Sequence, residues 1–143
     1  MPQLNALLLA ACTLCAAGGA TAQSAPALQK VSLAADAKAY RADGARHIYA
    51  AYPESIYKGK LPPLIHAIVV AEVDLDARGN VRAINVIRAP SHAPDVTARV
   101  RQMIQQVSPL PAPARLGGTK YLEIWLVDKS GRFQLDTLTE GQL

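Results

Sequence analysis

Apolar and polar residues alternate along this chain with two periods, and the switches between them mark the elements. The segment AKAYRADGARHIYAAY after Asp36 carries Tyr40, Ile48, Ala51 and Tyr52 on one face at helical spacing, and Asp36 is placed to cap it. Gly44 weakens the middle of this helix, and Tyr52, which precedes Pro53, ends it. ESIYKGKLPP then reads as a loop punctuated by Gly59, Pro62 and Pro63. Residues 65–74 and 81–89 are rich in Val and Ile and predict two strands joined by a turn at Asp76-Ala77-Arg78-Gly79-Asn80. The first strand is apolar at consecutive positions over AIVVA, which predicts a central place in a sheet with helices on one side.

The period then lengthens again. Pro94 and Asp95 suit the first turn of a second helix. Val96, Val100, Met103, Ile104 and Val107 form its apolar stripe; Arg99, Arg101, Gln102, Gln105 and Gln106 take the polar side. SPLPAPARLGG stops it. KYLEIWLVD and RFQLDTL predict two more strands about Lys129-Ser130-Gly131, the second with Phe133, Leu135 and Thr137 alternating against Gln134 and Asp136. The order helix, strand, strand, helix, strand, strand predicts an α+β domain: a small antiparallel sheet of three to four strands with two helices.

The first residues break this picture. An apolar run ends in Ala20-Thr21-Ala22, an A-x-A pattern before Gln23, so residues 1–22 read as a secretory signal peptide although no Lys or Arg precedes Ala22. Residues 23–35, rich in Ala and Ser, read as a flexible lead, and residues 36–143 as one domain. Two other readings of the start exist. Leu9-Ala10-Ala11-Cys12 has the form that precedes a lipidated cysteine, and an uncleaved anchor is the third reading. The apolar stretch, however, falls short of the ~20 residues that span a bilayer. Cleavage and export to the periplasm is the expected outcome.

Composition narrows the chemistry. The two cysteines, Cys12 and Cys15, lie in the signal segment, so the mature domain must rest on its apolar core rather than on disulfides. The net charge of +4 comes from 15 basic and 11 acidic residues that are interspersed rather than clustered. This suits a solvated surface, and neither a nucleic-acid partner nor a small-molecule substrate is expected.

Asp74, Asp76 and Gly79 fall at the first, third and sixth positions of a calcium loop, but Arg78 and Asn85 occupy its fifth and twelfth. A cation there would meet a guanidinium and lack its closing carboxylate. The stretch reads as a hairpin turn, and no metal or other cofactor is expected. His47, His66 and His92 show no ligand spacing. Ser91, His92 and Asp95 supply the residue types of a hydrolase triad within one short turn, where starting a helix is their simpler role, so a small envelope enzyme is the least favoured function. His66 reads as a structural histidine and Trp125 as a packing residue. Gly117-Gly118 lacks the Lys-Ser/Thr ending of a phosphate loop.

The sequence as a whole resembles the C-terminal domain of the TonB family over residues 52–133. The similarity lies in Tyr52-Pro53, in Gly59 before the first strand, in Asp76-Ala77-Arg78-Gly79-Asn80-Val81, and in a helix opening near Asp95. The resemblance implies a periplasmic protein-interaction module, not an enzyme, that grips an extended peptide from an envelope partner such as an outer-membrane transporter. It also implies a sheet with the second hairpin strand outside, the first in the middle and the third beside it. The family's energy transducers keep an N-terminal anchor bearing a functional His and a long Pro-rich spacer; here the first His is His47 and only a short segment precedes Tyr52. A membrane-anchored transducer is therefore the alternative rather than the first expectation.

On this reading the third strand would offer its edge to a peptide, were it not that the C-terminal strand should fold back onto it. Binding would then add a peptide to the outer edge of RFQLDTL or displace that strand. Tyr121, Glu123 and Trp125 on the third strand and Arg132, Gln134 and Asp136 on the fourth are the expected partner-binding residues, with Arg132, Gln134 and Asp136 exposed to select the partner.

Overall fold

A computed structural model of the chain describes residues 28–143. The expected signal segment, with Cys12, lies outside them. In chain order the elements are β1 (Val31–Ser32), α1 (Ala37–Ala51), β2 (Ala67–Asp76), β3 (Val81–Arg88), α2 (Pro94–Gln106), β4 (Ala112–Pro113), β5 (Gly118–Val127) and β6 (Phe133–Leu135). The fold is α+β. Four strands form an antiparallel sheet in the order β3-β2-β5-β6, and β1 and β4 form a separate parallel pair. Two single-turn 3₁₀ segments, Pro53–Ser55 and Asp136–Leu138, follow α1 and β6.

The hairpin forms because its turn satisfies its own polar groups. Asp76 Oδ1 accepts from the amides of Arg78 and Asn80, both at 2.9 Å, and Gly79 takes φ +82. A Cβ on Gly79 would stand 2.0 Å from the Leu110 carbonyl oxygen, whose own amide donates to Gly79 O at 2.8 Å. The turn is thereby docked onto the chain that leaves α2. The Asp76 carboxylate, which the calcium pattern would spend on a cation, is spent on the turn.

β2 pairs along all ten of its residues with β5 and along its other side with β3. Ala67, Val69, Ala71, Val73 and Leu75 are buried under the helices, whereas Ile68, Val70, Glu72 and Asp74 face the other way and stay half-buried. The central place expected for this strand is the one observed. Its apolar outer residues meet Leu126 and Ile124 across the pairing with β5 instead of a second layer of helices.

α1 starts where Asp36 Oδ1 accepts from the Ala39 amide at 2.8 Å. Its buried face is Tyr40, Gly44, Ala45 and Ile48. Ala51, expected on that face, is exposed. Tyr52 is half-buried and donates its hydroxyl to the Met103 carbonyl at 2.9 Å. α2 buries Val100, Met103 and Ile104 as its stripe requires, while its N-cap is Ala93 with no side-chain cap from Ser91. Between sheet and helices lies one core in which Trp125 stacks at a tilt on Phe133 (4.7 Å between centroids) and Tyr40 meets Tyr121 edge-on (6.0 Å).

Two expectations change at the ends. Val31 and Ser32, inside the expected flexible lead, pair with Ala112 and Pro113, and Ser32 Oγ donates to Asp43 at 2.6 Å. The C-terminal strand folds back onto β5 as expected, but only Phe133–Leu135 pair, and Asp136–Leu138 turn into a 3₁₀ helix. A buried Glu123 explains the stop, because it captures Thr137 before the ladder can continue.

Candidate functional site

The free edges of the four-stranded sheet are the places where this fold could take a partner. Alternation along β5 assigns its two faces. Tyr121, Glu123 and Trp125 point to the helices and are each 1% exposed; Lys120, Leu122, Ile124 and Leu126 point to the open side. The three expected partner-binding side chains of this strand are therefore core residues, out of a partner's reach. KYLEIWLVD is apolar on both faces, so its period could not say which set is inside.

Glu123 is the hub of that buried set. Its carboxylate accepts from the Tyr121 hydroxyl at 3.0 Å, the Thr137 hydroxyl at 2.8 Å and the Ile124 amide at 3.0 Å, with Arg41 at 3.4 Å. Burial, with the adjacent Glu123 charge, holds the Tyr121 hydroxyl well above its ordinary pKa, so it remains a donor. One carboxylate thus ties α1, β5 and the C-terminal segment together.

β6 is clamped from outside as well. Tyr57 N–H donates to the Phe133 carbonyl at 2.9 Å, and Ile56 pairs with Phe133. Gln134, expected to be exposed, is 1% exposed. Its Nε2 donates to the carbonyls of Tyr57 (2.9 Å) and Gly59 (2.6 Å), while its Oε1 accepts from the Thr139 hydroxyl and the Glu140 amide. The outer edge of this strand is thus occupied by residues 56–59, and a peptide has no room to add there. Arg132 and Asp136 are exposed as expected; Asp136 lies 3.9 Å from Arg41. Displacing β6 would open the Phe133 and Leu135 core and strip both buried polar hubs.

A shorter edge stays open. β6 covers β5 only at residues 125–127. Ile124 turns its amide away from β2, toward the Glu123 carboxylate. Backbone direction repeats every second residue, so Leu122 and Lys120 present N–H and C=O the same way. Among the described residues no main-chain hydrogen bond closes β5 on that side over residues 118–122. Lys120 beside it bonds to Glu72 at 2.8 Å and lies 3.1 Å from Asp74; these two carboxylates, Glu72 first, raise its pKa. Sequence reasoning missed Lys120 and Leu122 as edge residues because it assumed a full-length fourth strand.

The histidines serve the backbone. His92 Nε2 lies 2.6 Å from the His66 carbonyl, with the two rings edge-to-face, and His47 Nε2 lies 2.9 Å from the Val107 carbonyl. His92 shares no hydrogen bond with Ser91 or Asp95, so the three triad residue types are not brought together. Among the described residues no three His, Cys, Asp or Glu side chains gather as metal ligands, and no helix is long and apolar enough to cross a membrane.

No family model, no curated protein and no solved structure matches this chain.

Proposed function

We propose that this chain is an exported protein-interaction module, similar to the C-terminal domain of the TonB family, that takes an extended segment of a cell-envelope partner as an added strand. The observation that carries this reading is the main-chain edge of β5 over residues 118–122, which no strand covers among the described residues and where only the Thr119 hydroxyl reaches a carbonyl, that of Lys120, next to a part of the sheet that is paired on its other side along its whole length. Such an edge supplies affinity through backbone hydrogen bonds, and side chains beside it supply selection. Lys120 and Leu122, rather than the buried Tyr121, Glu123 and Trp125, are positioned for that selection. The element order and the central β2 support the same reading, since they are what the resemblance implies.

The test uses the exported protein as bait for envelope proteins, followed by Leu122→Pro and Leu122→Ala in the bait. Proline removes the outward N–H of residue 122 while sparing the pairing with β2, because that N–H takes no part in it. Loss of the captured partner with Leu122→Pro, and retention with Leu122→Ala, is the expected result. A partner held equally by a folded Leu122→Pro protein would rule out strand addition at β5.

A further inference from the structure

The opposite edge of the sheet differs in chemistry. β3 is paired with β2 only, and its outward main chain is partly capped by Arg101 from the middle of α2 and by Ser108 just after that helix. Ser108 Oγ accepts from the Val81 amide at 3.1 Å, and Arg101 Nη1 donates to the Ile84 carbonyl at 3.2 Å. These two contacts fix which groups face out. Ile84 and Val86 stand opposite Val73 and Ala71, two residues apart on β2, so both direct N–H and C=O away from the sheet. Among the described residues the Ile84 amide and both polar groups of Val86 have no partner there. Beside them a cleft of about 320 Å³ separates β3 from α2, walled by Ile84, Arg101 and Gln105.

The rim of this edge is basic. Arg82, Arg88 and Arg101 are all exposed, and among the described residues only Arg82 has an acidic partner, Asp76 at 2.7 Å. Arg101 spends one of its five N–H donors on the Ile84 carbonyl and keeps the rest free. We propose that the outer edge of β3 is a docking strip for an extended acidic peptide, which adds as a further strand and places carboxylates against Arg88 and Arg101. The charge complementarity selects that occupant over a neutral or basic one. The geometry also sets a spacing. Arg88 pairs with Val70 and Ile84 with Val73, three β2 residues apart, or about 10 Å along the strand. Arg88 shares the open face of Val70, while Arg101 reaches from the helix side. Two acidic residues three positions apart on an added strand would point to opposite faces and meet both. This edge is separate from that of β5, and the inference does not rest on the function proposed there.

The probe is a capped ten-residue Thr/Val peptide with two Glu three positions apart, compared with the same peptide carrying Lys. Fluorescence anisotropy against the purified protein at low salt is expected to show binding of the Glu peptide and at least about tenfold weaker binding of the Lys peptide, with affinity falling as salt rises. Arg88→Gln and Arg101→Gln, both at exposed positions, should each weaken binding about three- to tenfold. Amide exchange at Ile84 and Val86 should slow in the complex. Three results would overturn the proposal: equal binding of the Lys peptide, protection at Leu122 with none at Val86, or no binding at all. In the last case the arginines only guard an edge strand against self-association.

Discussion

Gly44 sets bare backbone against the ring of Tyr121: a Cβ there would stand 2.8 Å from Cε2 and 2.9 Å from Cζ. The ring cannot retreat, since it meets Tyr40 edge-on and its hydroxyl is held by Glu123. Gly44→Ala would gain up to about 1 kcal/mol in helix propensity and lose about 1–3 kcal/mol to overpacking. The expected net is a less stable protein, by up to about 2 kcal/mol once the propensity gain is subtracted, read by urea denaturation. An unchanged or raised midpoint would mean that α1 can shift off the sheet at no cost.

The turn at Asp76 makes stability depend on acid. The Asn80 side chain first, then the Asn80 and Arg78 amides and the Arg82 charge, lower the Asp76 pKa from its ordinary 3.8 to about 2, against an opposing effect of desolvation. A carboxyl depressed on folding contributes stability that is present above its ordinary pKa and lost as pH falls through the folded value. The hairpin should therefore loosen between about pH 4 and pH 2. Nuclear magnetic resonance of the Arg78 and Asn80 amides across that range would follow it directly. Asp76→Asn should abolish the transition, and amides that titrate with a midpoint above 4 would contradict the assignment.

How much of this was legible beforehand depended on whether a residue's partner lay within its own element. The Asp36 cap, the stripe from Val100 to Val107 and the hairpin turn at Gly79 were legible, because each rests on spacing within one segment or between neighbours, whereas the place of β5 beside β2 was expected only from the family resemblance. Gly44 read as a flaw in a helix and proved to be the place where the helix touches β5. The candidate site was legible only as a location. Phe133, Gln134 and Leu135 alternate as a half-exposed strand should, yet all three are buried, because residues 56–59 cross the outer edge. A period reports which residues share a face. It carries no information on whether a distant loop covers that face.

Gln134 gives that cover its sharpest test. A primary amide offers two donors and an oxygen with two acceptor sites, and here all four are used, on Tyr57, Gly59, Thr139 and Glu140. The side chain holds two segments to β6 at once, which no apolar residue of the same size can do. Gln134→Leu would leave the Tyr57 and Gly59 carbonyls and the Glu140 amide without partners, at a cost of about 1–3 kcal/mol for each group that water cannot reach. A total loss of about 2–4 kcal/mol is expected. The Tyr57 amide, now bonded to the Phe133 carbonyl, should exchange faster as residues 56–59 lift away. Gln134→Glu separates charge from shape. The introduced carboxylate cannot donate to either carbonyl, and burial raises its folded pKa above the ordinary value. With that sign the protein gains stability as pH falls through the raised value, opposite to the Asp76 transition, so the two effects separate in one titration. If Gln134→Leu keeps its full stability and the Tyr57 amide stays protected, the pairing of Ile56 and Tyr57 with Phe133 holds the loop without help, and the clamping role assigned to the Gln134 side chain is wrong.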